Sequence, residues 1–227
     1  MKPQLRRLGN SQSPVVVIDD FSFSLARICD IAEALAPFGA ANNYYPGLRR
    51  VIEPTDEQAE AYARETCDRA AQFIAGAFDF DRFELVEASF SMVTTLPERL
   101  TRPQRAPHFD STDQNYLALL HYLRVPAGSG TAFYRQRATG IERVTESNVE
   151  LFVRTALKDA AALAPDSGYI DGSDECFEQI GAIEAVPDRL IIYQGSLLHS
   201  GMIPPDMEFS EDPRQGRLTA NLFVRAD

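Results

Sequence analysis

The chain has 227 residues, of which 44% are hydrophobic and 24% charged, a composition typical of one globular domain and a length too short for two enzyme domains. Its net charge of −11 repels nucleic-acid phosphates, and no apolar run approaches the roughly 20 residues that span a bilayer. We therefore expect a single cytoplasmic domain over residues 1–227, with three reduced cysteines and no nucleic-acid or membrane partner.

The N-terminal residues 1–84 predict a strand followed by two helices that cover one face of a sheet. The short β-branched run 15–18 is typical of an outer strand that opens the fold. Apolar residues recur at helical spacing over 24–36 and, more clearly, over 55–78, where a capping box opens at Thr55.

The segment 42–50 between these helices contains two adjacent tyrosines, a Pro-Gly turn and paired arginines. One interpretation is a surface turn whose aromatic side chains pack on the helices. The other is an active-site lid. In the second interpretation Tyr44, Tyr45 or Arg49 contacts a polar group of a substrate.

Residues 85–227 carry the strand patterns of a β-rich core. Residues 85–95 alternate regularly, whereas 116–123 is almost entirely apolar, as expected for a strand that is covered on both faces. A Gly-rich turn at 126–130 then leads into the second strand of a hairpin. The remaining strand patterns lie at 131–135, 177–186, 189–193, 196–199 and 218–224.

One helical pattern interrupts these strands at about residues 147–164. It opens with a capping box from Ser147 to Glu150 and ends near Pro165. We expect this insertion to shape substrate access or to provide a dimer interface.

Three separated residues form the pattern that decides the functional interpretation. In His108-Phe109-Asp110 the two polar side chains are two positions apart, so an extended backbone projects them to the same side. His199 follows the apolar run 189–198. Two imidazoles and one carboxylate occupy one face of an octahedral metal and leave the other face open, which is the coordination of non-haem Fe(II) oxygenases.

An arginine further along the chain offers a partner for an organic acid bound at that open face. A guanidinium presents planar, paired donors to a carboxylate, which a lysine does not. Arg214 lies in a stretch of Pro, Gly and acidic residues that is typical of a loop, whereas Arg217 begins the alternating segment 218–224. We therefore prefer Arg217 for this role.

Taken in order, these motifs resemble those of the Fe(II)- and 2-oxoglutarate-dependent dioxygenases, and within them the prolyl-4-hydroxylase-like branch. The resemblance covers about residues 85–225 and is carried by five motifs: His108-Phe-Asp110, Tyr122-Leu-Arg124, Gly128-Ser-Gly-Thr131, His199-Ser-Gly201 and Arg217-Leu-Thr219. It implies a mainly β fold with flanking helices around a double-stranded β-helix, the jelly-roll core that cupins share.

The resemblance also implies the site residues and the chemistry. Iron would be bound by His108, Asp110 and His199, and 2-oxoglutarate would be held by Arg217, Thr219 and Tyr122. The implied reaction hydroxylates a small molecule, an amino acid or a peptide side chain with O2, and releases succinate and CO2. Asp110 argues against the related halogenases, which have a small residue in place of that carboxylate.

Two departures from the family pattern leave alternatives open. Arg124 stands where the family tripeptide usually has Asn, and the interval from His199 to Arg217 is longer than usual, which predicts an inserted loop. The alternatives are a cupin-like metal enzyme without 2-oxoglutarate and a non-catalytic ligand-binding module of the same fold. Arg135 and Arg137, together with the loop from Tyr44 to Arg50, favour an acidic or carboxylate-bearing substrate.

His121 requires a separate interpretation, because a histidine so close to the predicted site could be taken for a ligand. Period-two counting along 116–123 places its side chain on the face opposite to Tyr122. We therefore interpret His121 as a core histidine satisfied by hydrogen bonds.

Overall fold

The computed structural model describes residues 2–41, 44–162 and 168–227. Its strands are β1 (Lys2–Leu8), β2 (Ser13–Asp19), β3 (Gly39–Ala40), β4 (Gly47–Val51), β5 (Phe83–Val93), β6 (Tyr116–Arg124), β7 (Gly130–Gln136), β8 (Phe177–Glu184), β9 (Arg189–Gln194), β10 (His199–Met202) and β11 (Leu218–Ala226). Its α-helices are α1 (Leu25–Ala34), α2 (Glu57–Phe78) and α3 (Val149–Ala162), and two 3-10 turns cover Pro97–Arg99 and Arg102–Arg105.

Two antiparallel sheets form the core. The larger has eight strands in the order β1-β2-β9-β6-β11-β5-β4-β3, and the smaller has three in the order β10-β7-β8. Apolar side chains from both sheets, such as Tyr122 and Ile191 on the large sheet and Phe133 and Ile183 on the small one, form one buried cluster. This arrangement confirms the predicted jelly-roll core with flanking helices.

The other face of the large sheet is covered by α1 and α2, as predicted. Ile28 of α1 and Ala63 of α2 belong to the same buried cluster as Leu119 of β6 and Ile192 of β9. One face of strand β6, which includes Leu117 and Leu119, is therefore buried under the helices. The other face, which includes Ala118 and Tyr122, is buried between the two sheets. Each large side chain buried in this way contributes about 1.5–3 kcal/mol, which explains why the strand is apolar on both faces.

Three strands, β1, β3 and β4, escaped sequence-based prediction. The fold opens with β1, which pairs with β2 in a hairpin, rather than at 15–18. Residues Gly47–Val51, predicted as part of a loop, form β4 and pair with β5. Both segments lie towards the ends of the large sheet and carry few buried apolar residues, so neither shows the alternation that marks a half-buried strand.

The predicted helices are present with different starts. Helix α2 follows Asp56, whose side chain makes no capping hydrogen bond, so the predicted Thr55–Gln58 capping box is wrong. The Asp56 carboxylate instead pairs with Arg50 at 2.8 Å. Among the described residues, no helix is long and apolar enough to cross a membrane.

Helix α3 lies between β7 and β8 as the predicted insertion, and begins at Val149 rather than next to Ser147. Asn148 precedes it, and its Oδ1 accepts a hydrogen bond from the backbone N–H of Thr145 at 2.9 Å. The Ser147 hydroxyl pairs with Thr145 Oγ1 at 2.9 Å. The predicted end near Pro165 lies outside the described residues.

Candidate metal centre

The backbone brings the first two predicted ligands to the third. His108 exchanges two backbone hydrogen bonds with His199, each 2.9 Å long, and the Asp110 N–H donates to Gly195 O at 2.7 Å. The extended geometry predicted for His108-Phe109-Asp110 is present, although as an isolated bridge rather than a strand. At Gly195 a Cβ atom would lie 3.3 Å from Asp110 Cβ and 2.9 Å from the Tyr116 ring, so glycine permits this close approach.

The side chains of His108, Asp110 and His199 converge. One donor atom from each lies within 4.8 Å of the others. His199 Nε2 is 3.6 Å from Asp110 Oδ2, and His108 Nε2 is 4.0 Å from Asp110 Oδ1. These separations are too long for hydrogen bonds. They fit donors that each lie about 2 Å from a shared ion, so the group can hold one metal ion.

The surroundings keep this donor set in the required protonation states. His199 Nδ1 lies 2.8 Å from the Leu197 carbonyl oxygen, which only accepts, so Nδ1 carries the proton and Nε2 keeps its lone pair for a metal. Burial lowers the pKa of His199 to about 4. Burial raises the pKa of Asp110 to about 6, against the opposing effect of His108 and Arg49. At pH 7 the site therefore presents a neutral imidazole and a carboxylate.

Arg217 lies at the start of β11 with only 5% of its surface exposed. Its Nε is buried and has no hydrogen-bond partner among the described residues. An unpartnered buried donor on a guanidinium is costly, so this arrangement fits a site that an anionic ligand completes. The competing Arg214 is exposed and pairs with Asp212 at 3.3 Å, so it does not face the centre.

Tyr122 and Thr219 lie beside Arg217. The two residues are cross-strand partners on β6 and β11, so their side chains share the interior face of the large sheet. The Tyr122 hydroxyl pairs with Thr131 Oγ1 at 2.7 Å, and burial raises the pKa of Tyr122 to about 12 although Arg217 opposes the shift. The structure thus brings all three residues expected at a carboxylate clamp together.

The four residues predicted to contact a substrate divide into two groups. Tyr45 is half-buried next to Arg217 and Thr219, which both oppose the rise in its pKa that burial causes, and Arg49 is close enough to affect both Tyr45 and Asp110. Tyr44, in contrast, is 73% exposed. Arg135 pairs with Glu142 and Glu178, so its guanidinium is occupied by carboxylates of the chain.

His121 is a core residue, as interpreted from the period-two count. Its Nδ1 lies 2.9 Å from the Tyr62 hydroxyl and its Nε2 lies 3.0 Å from Asp188 Oδ1. The ring is fully buried beneath the helices, on the opposite face of β6 from Tyr122. It therefore joins α2 to the sheet rather than serving the metal centre.

Sequence reasoning missed two sets of residues around the centre. Tyr169 and Phe209 stack with ring centroids 6.3 Å apart, and the Tyr169 hydroxyl donates to Thr95 O at 2.7 Å. Both lie in irregular segments whose sequence carries no periodic signal. The second set is the polar row on β5, Glu87, Ser89 and Ser91, whose alternation was visible although its position beside the centre was not.

Comparison with known proteins identifies a family for this chain. The model of a family described as "Family of unknown function (DUF6445)" matches residues 1–224. The chain belongs to this family. A search of curated protein sequences finds no match.

Solved structures similar to this member of the family include proteins described with iron or α-ketoglutarate. One is the non-haem α-ketoglutarate-dependent epimerase SnoN from nogalamycin biosynthesis, with a TM-score of 0.53, 14% identity and coverage of 94% of this chain and 79% of that one. Another is HygX from Streptomyces hygroscopicus with iron bound, with a TM-score of 0.55, 12% identity and coverage of 94% and 82%. The likeness therefore confirms the fold that the resemblance stated from sequence implies.

A further structure of HygX contains nickel, 2-oxoglutarate and hygromycin B. It is similar to this chain with a TM-score of 0.54 and 13% identity, and the similarity covers 94% of this chain and 83% of that one.

Proposed function

We propose that the protein is an Fe(II)- and 2-oxoglutarate-dependent oxygenase that hydroxylates a small molecule, an amino acid or a peptide side chain. One observation carries the proposal: the donor atoms of His108, Asp110 and His199 converge within 4.8 Å, and the same fold holds a buried arginine, Arg217, whose Nε has no partner among the described residues. Metal enzymes that act only as Lewis acids need the donor group but not the buried guanidinium.

The chemistry of the bound groups follows from the reaction balance. With Fe(II) in place, 2-oxoglutarate and O2 give succinate and CO2, and one oxygen atom of O2 replaces a substrate C–H by C–OH. The residues His108, Asp110 and His199 would hold the metal, and Arg217, Thr219 and Tyr122 would hold the far carboxylate of 2-oxoglutarate.

The residues of this chain would position the metal and the 2-oxoglutarate carboxylate and would exclude water from them. The Leu197 carbonyl fixes the His199 tautomer, and the Tyr193 ring packs edge-on against His199 with centroids 4.9 Å apart. Arg217 supplies paired donors that a carboxylate matches. Tyr45 and Tyr122 border the guanidinium, so a bound carboxylate would lie in surroundings of low polarity, where its hydrogen bonds are strengthened.

Anaerobic titration of the metal-free protein with Fe(II) and then 2-oxoglutarate tests the proposal. The expected result is a weak visible charge-transfer band that saturates at one 2-oxoglutarate per protein, and slow succinate formation once air is admitted. A protein that binds Fe(II) but shows neither the band nor competition by succinate would support a Lewis-acid enzyme instead. HygX structures with nickel, 2-oxoglutarate and a small-molecule ligand support the same arrangement by similarity of fold.

A further inference from the structure

The interior face of the large sheet is apolar over some of its strands and polar over others. Over β9 and β6 it presents apolar side chains that pack against the small sheet. Over β11, β5 and β4 the cross-strand partners on the same face are polar: Thr219, Asn221, Ser91, Ser89 and Arg49, with Glu87 at the end of the row. A sheet interior that is polar on one side only is typical of a ligand-binding face.

The polar row is hydrogen-bonded within itself. Asn221 Nδ2 donates to Ser91 Oγ at 2.8 Å, and Arg49 Nη2 donates to Ser89 Oγ at 2.7 Å. Ser89 and Ser91 are fully buried. The serines are therefore satisfied, and the charged members of the row, Arg49 and Glu87, are the groups that retain binding capacity.

Arg49 and Glu87 form an ion pair with unused donors and exposed surface. Arg49 Nη2 lies 2.7 Å from Glu87 Oε1, while the Nε of Arg49 is buried without a partner among the described residues. The Arg49 side chain is 11% exposed and that of Glu87 is 37% exposed. The pair thus has an inner cationic end and an outer anionic end.

The pair borders the metal centre from the β4 side. Arg49 of β4 is the cross-strand partner of Ser91 on β5, and Ser91 pairs in turn with Thr219 of β11. Arg49 therefore shares the face of the sheet that carries the clamp residue Thr219. Glu87 is the cross-strand partner of Phe223, whose ring stacks on that of Tyr116 with centroids 5.4 Å apart. The Tyr116 ring lies beside Gly195, whose carbonyl oxygen accepts the hydrogen bond from the Asp110 N–H. A ligand on Arg49 and Glu87 would therefore lie next to the metal.

We propose that Arg49 and Glu87 form the substrate head-group subsite of this centre and bind the zwitterionic group of an amino acid, with the carboxylate at Arg49 and the ammonium at Glu87. The inference rests on the proposed function for the reaction, although the subsite itself can be tested without it. A zwitterion suits the pair because it adds no net charge to a site that is already neutral. A singly charged ligand would leave Arg49 or Glu87 uncompensated, which is costly in a partly buried position.

The test is isothermal titration of the protein with the twenty common L-amino acids, without metal and again in the anaerobic Fe(II) and 2-oxoglutarate complex. We expect at least one amino acid to bind, and its methyl ester and N-acetyl derivative to bind at least tenfold more weakly. Failure of every free amino acid to bind would overturn the proposal, as would equal affinity for the ester and N-acetyl forms.

Variants separate a head-group role from a structural one. In Glu87→Gln the preference for the free amino acid over its N-acetyl form should fall at least tenfold, and in Arg49→Gln the preference over its methyl ester should fall by the same factor. Arg225→Gln, which breaks an exposed pair with Asp113 on the same sheet, is the matched control and should retain both preferences. A merely structural ion pair would weaken all ligands equally, and that result would contradict the proposal.

Failure of the two proposals gives different results. If Fe(II) and 2-oxoglutarate form no chelate but an amino acid binds in a manner that depends on Arg49 and Glu87, the oxygenase proposal fails and the subsite stands. If the chelate forms and no amino acid binds, the subsite proposal alone is overturned.

Discussion

The guanidinium of Arg124, at the end of β6, donates a hydrogen bond to the carbonyl oxygen of Pro213 in the segment between β10 and β11. Its Nη2 also donates to Glu33 Oε1 of α1 at 3.1 Å. The two departures from the oxygenase pattern, Arg124 in place of Asn and the long interval before Arg217, are therefore in contact. Arg124 thus links the inserted segment, at Pro213, to strand β6 and to helix α1. Pro213 lies a few residues before Arg217.

Replacing Arg124 by Asn should loosen that segment. The substitution removes a charge-assisted hydrogen bond to Pro213, worth about 1.5–3 kcal/mol, and a partly exposed ion pair with Glu33, worth about 0–1 kcal/mol. Pro213 lies in the segment that leads directly to Arg217. We expect faster amide hydrogen exchange over 203–216 and weaker 2-oxoglutarate binding with little change in metal affinity. Arg214→Asn is the control, because Arg214 is exposed and pairs with Asp212 of the same segment. Unchanged exchange over 203–216 in Arg124→Asn would show that the segment is held by other contacts.

The convergence of the candidate metal-ligand group was predictable from the sequence, because its signal is local. His108 and Asp110 are two positions apart next to an apolar run, and His199 follows another run, so period-two geometry was enough to select them. Arg217 was separable from Arg214 for the same reason, since only Arg217 adjoins an alternating strand. The structure places these residues together, as this reasoning requires.

Arg49 was a candidate for substrate contact from the sequence, but its pairing with Glu87 was not predictable, because that pairing depends on strand neighbours that are distant in sequence. Arg49 was assigned to a loop, whereas it lies on β4 and pairs with Glu87 of β5. Nothing local in either segment indicates that pairing, since a strand with partly exposed residues lacks an alternating apolar pattern. Arg135 is the opposite case, because it lies near the motifs in sequence and was predicted to contact a substrate. In the structure its guanidinium forms ion pairs with Glu142 and Glu178.

Metal binding should depend on His199 and not on His121. His199→Ala removes a ligand, so the loss of Fe(II) or Ni(II) affinity should exceed the about 10- to 100-fold typical of an outer-sphere partner. His121→Gln disturbs hydrogen bonds to Tyr62 and Asp188 on the opposite face of β6 and should leave metal affinity within a few-fold while lowering stability. Anaerobic calorimetric titration measures both. Equal metal affinity in wild type and His199→Ala would remove His199 from the ligand set.

The 2-oxoglutarate affinity should depend on Arg217. Arg217→Gln replaces a buried guanidinium by a neutral amide, so two charge-assisted hydrogen bonds to the carboxylate are lost and the Kd should rise by about 100-fold. Fe(II) affinity should stay close to that of the wild type, since the ligand residues are unchanged. Arg214→Gln provides the matched comparison on an exposed arginine three residues earlier. If the Kd for 2-oxoglutarate rose in Arg214→Gln but not in Arg217→Gln, the residue that binds the carboxylate would be Arg214 and not Arg217.

The Glu142 carboxylate holds the β1–β2 turn against the small sheet. It accepts hydrogen bonds from the backbone N–H groups of Asn10 and Ser11, both at 2.9 Å, and pairs with Arg135 at 2.6 Å. Burial by itself raises the pKa of Glu142, but these donors outweigh it and hold the pKa below its ordinary value. The charged form is therefore stabilised in the folded state.

A depressed folded-state pKa makes this contribution depend on pH in one direction. The stabilisation is complete above the unfolded pKa of Glu, about 4.3, and is lost as the pH falls through the lower folded-state value. Glu142→Gln should lower the free energy of unfolding by about 3 kcal/mol at pH 7, because the amide removes the charge that Arg135 pairs with and replaces one accepting oxygen by an NH2 group. The difference from wild type should shrink as the pH falls below about 4. Urea denaturation at a series of pH values measures it.

Glu178→Gln is the matched control for that experiment, because Glu178 pairs with the same Arg135 at 2.8 Å but is 41% exposed. A surface pair of this kind contributes about 0–1 kcal/mol, so the Glu178 variant should remain near the wild type at every pH. If both variants lost equal stability at pH 7, the effect would belong to the Arg135 charge and not to the buried turn. A large loss of stability in Glu142→Gln alone would instead show that the Glu142 carboxylate is responsible for the acid sensitivity of the β1–β2 hairpin.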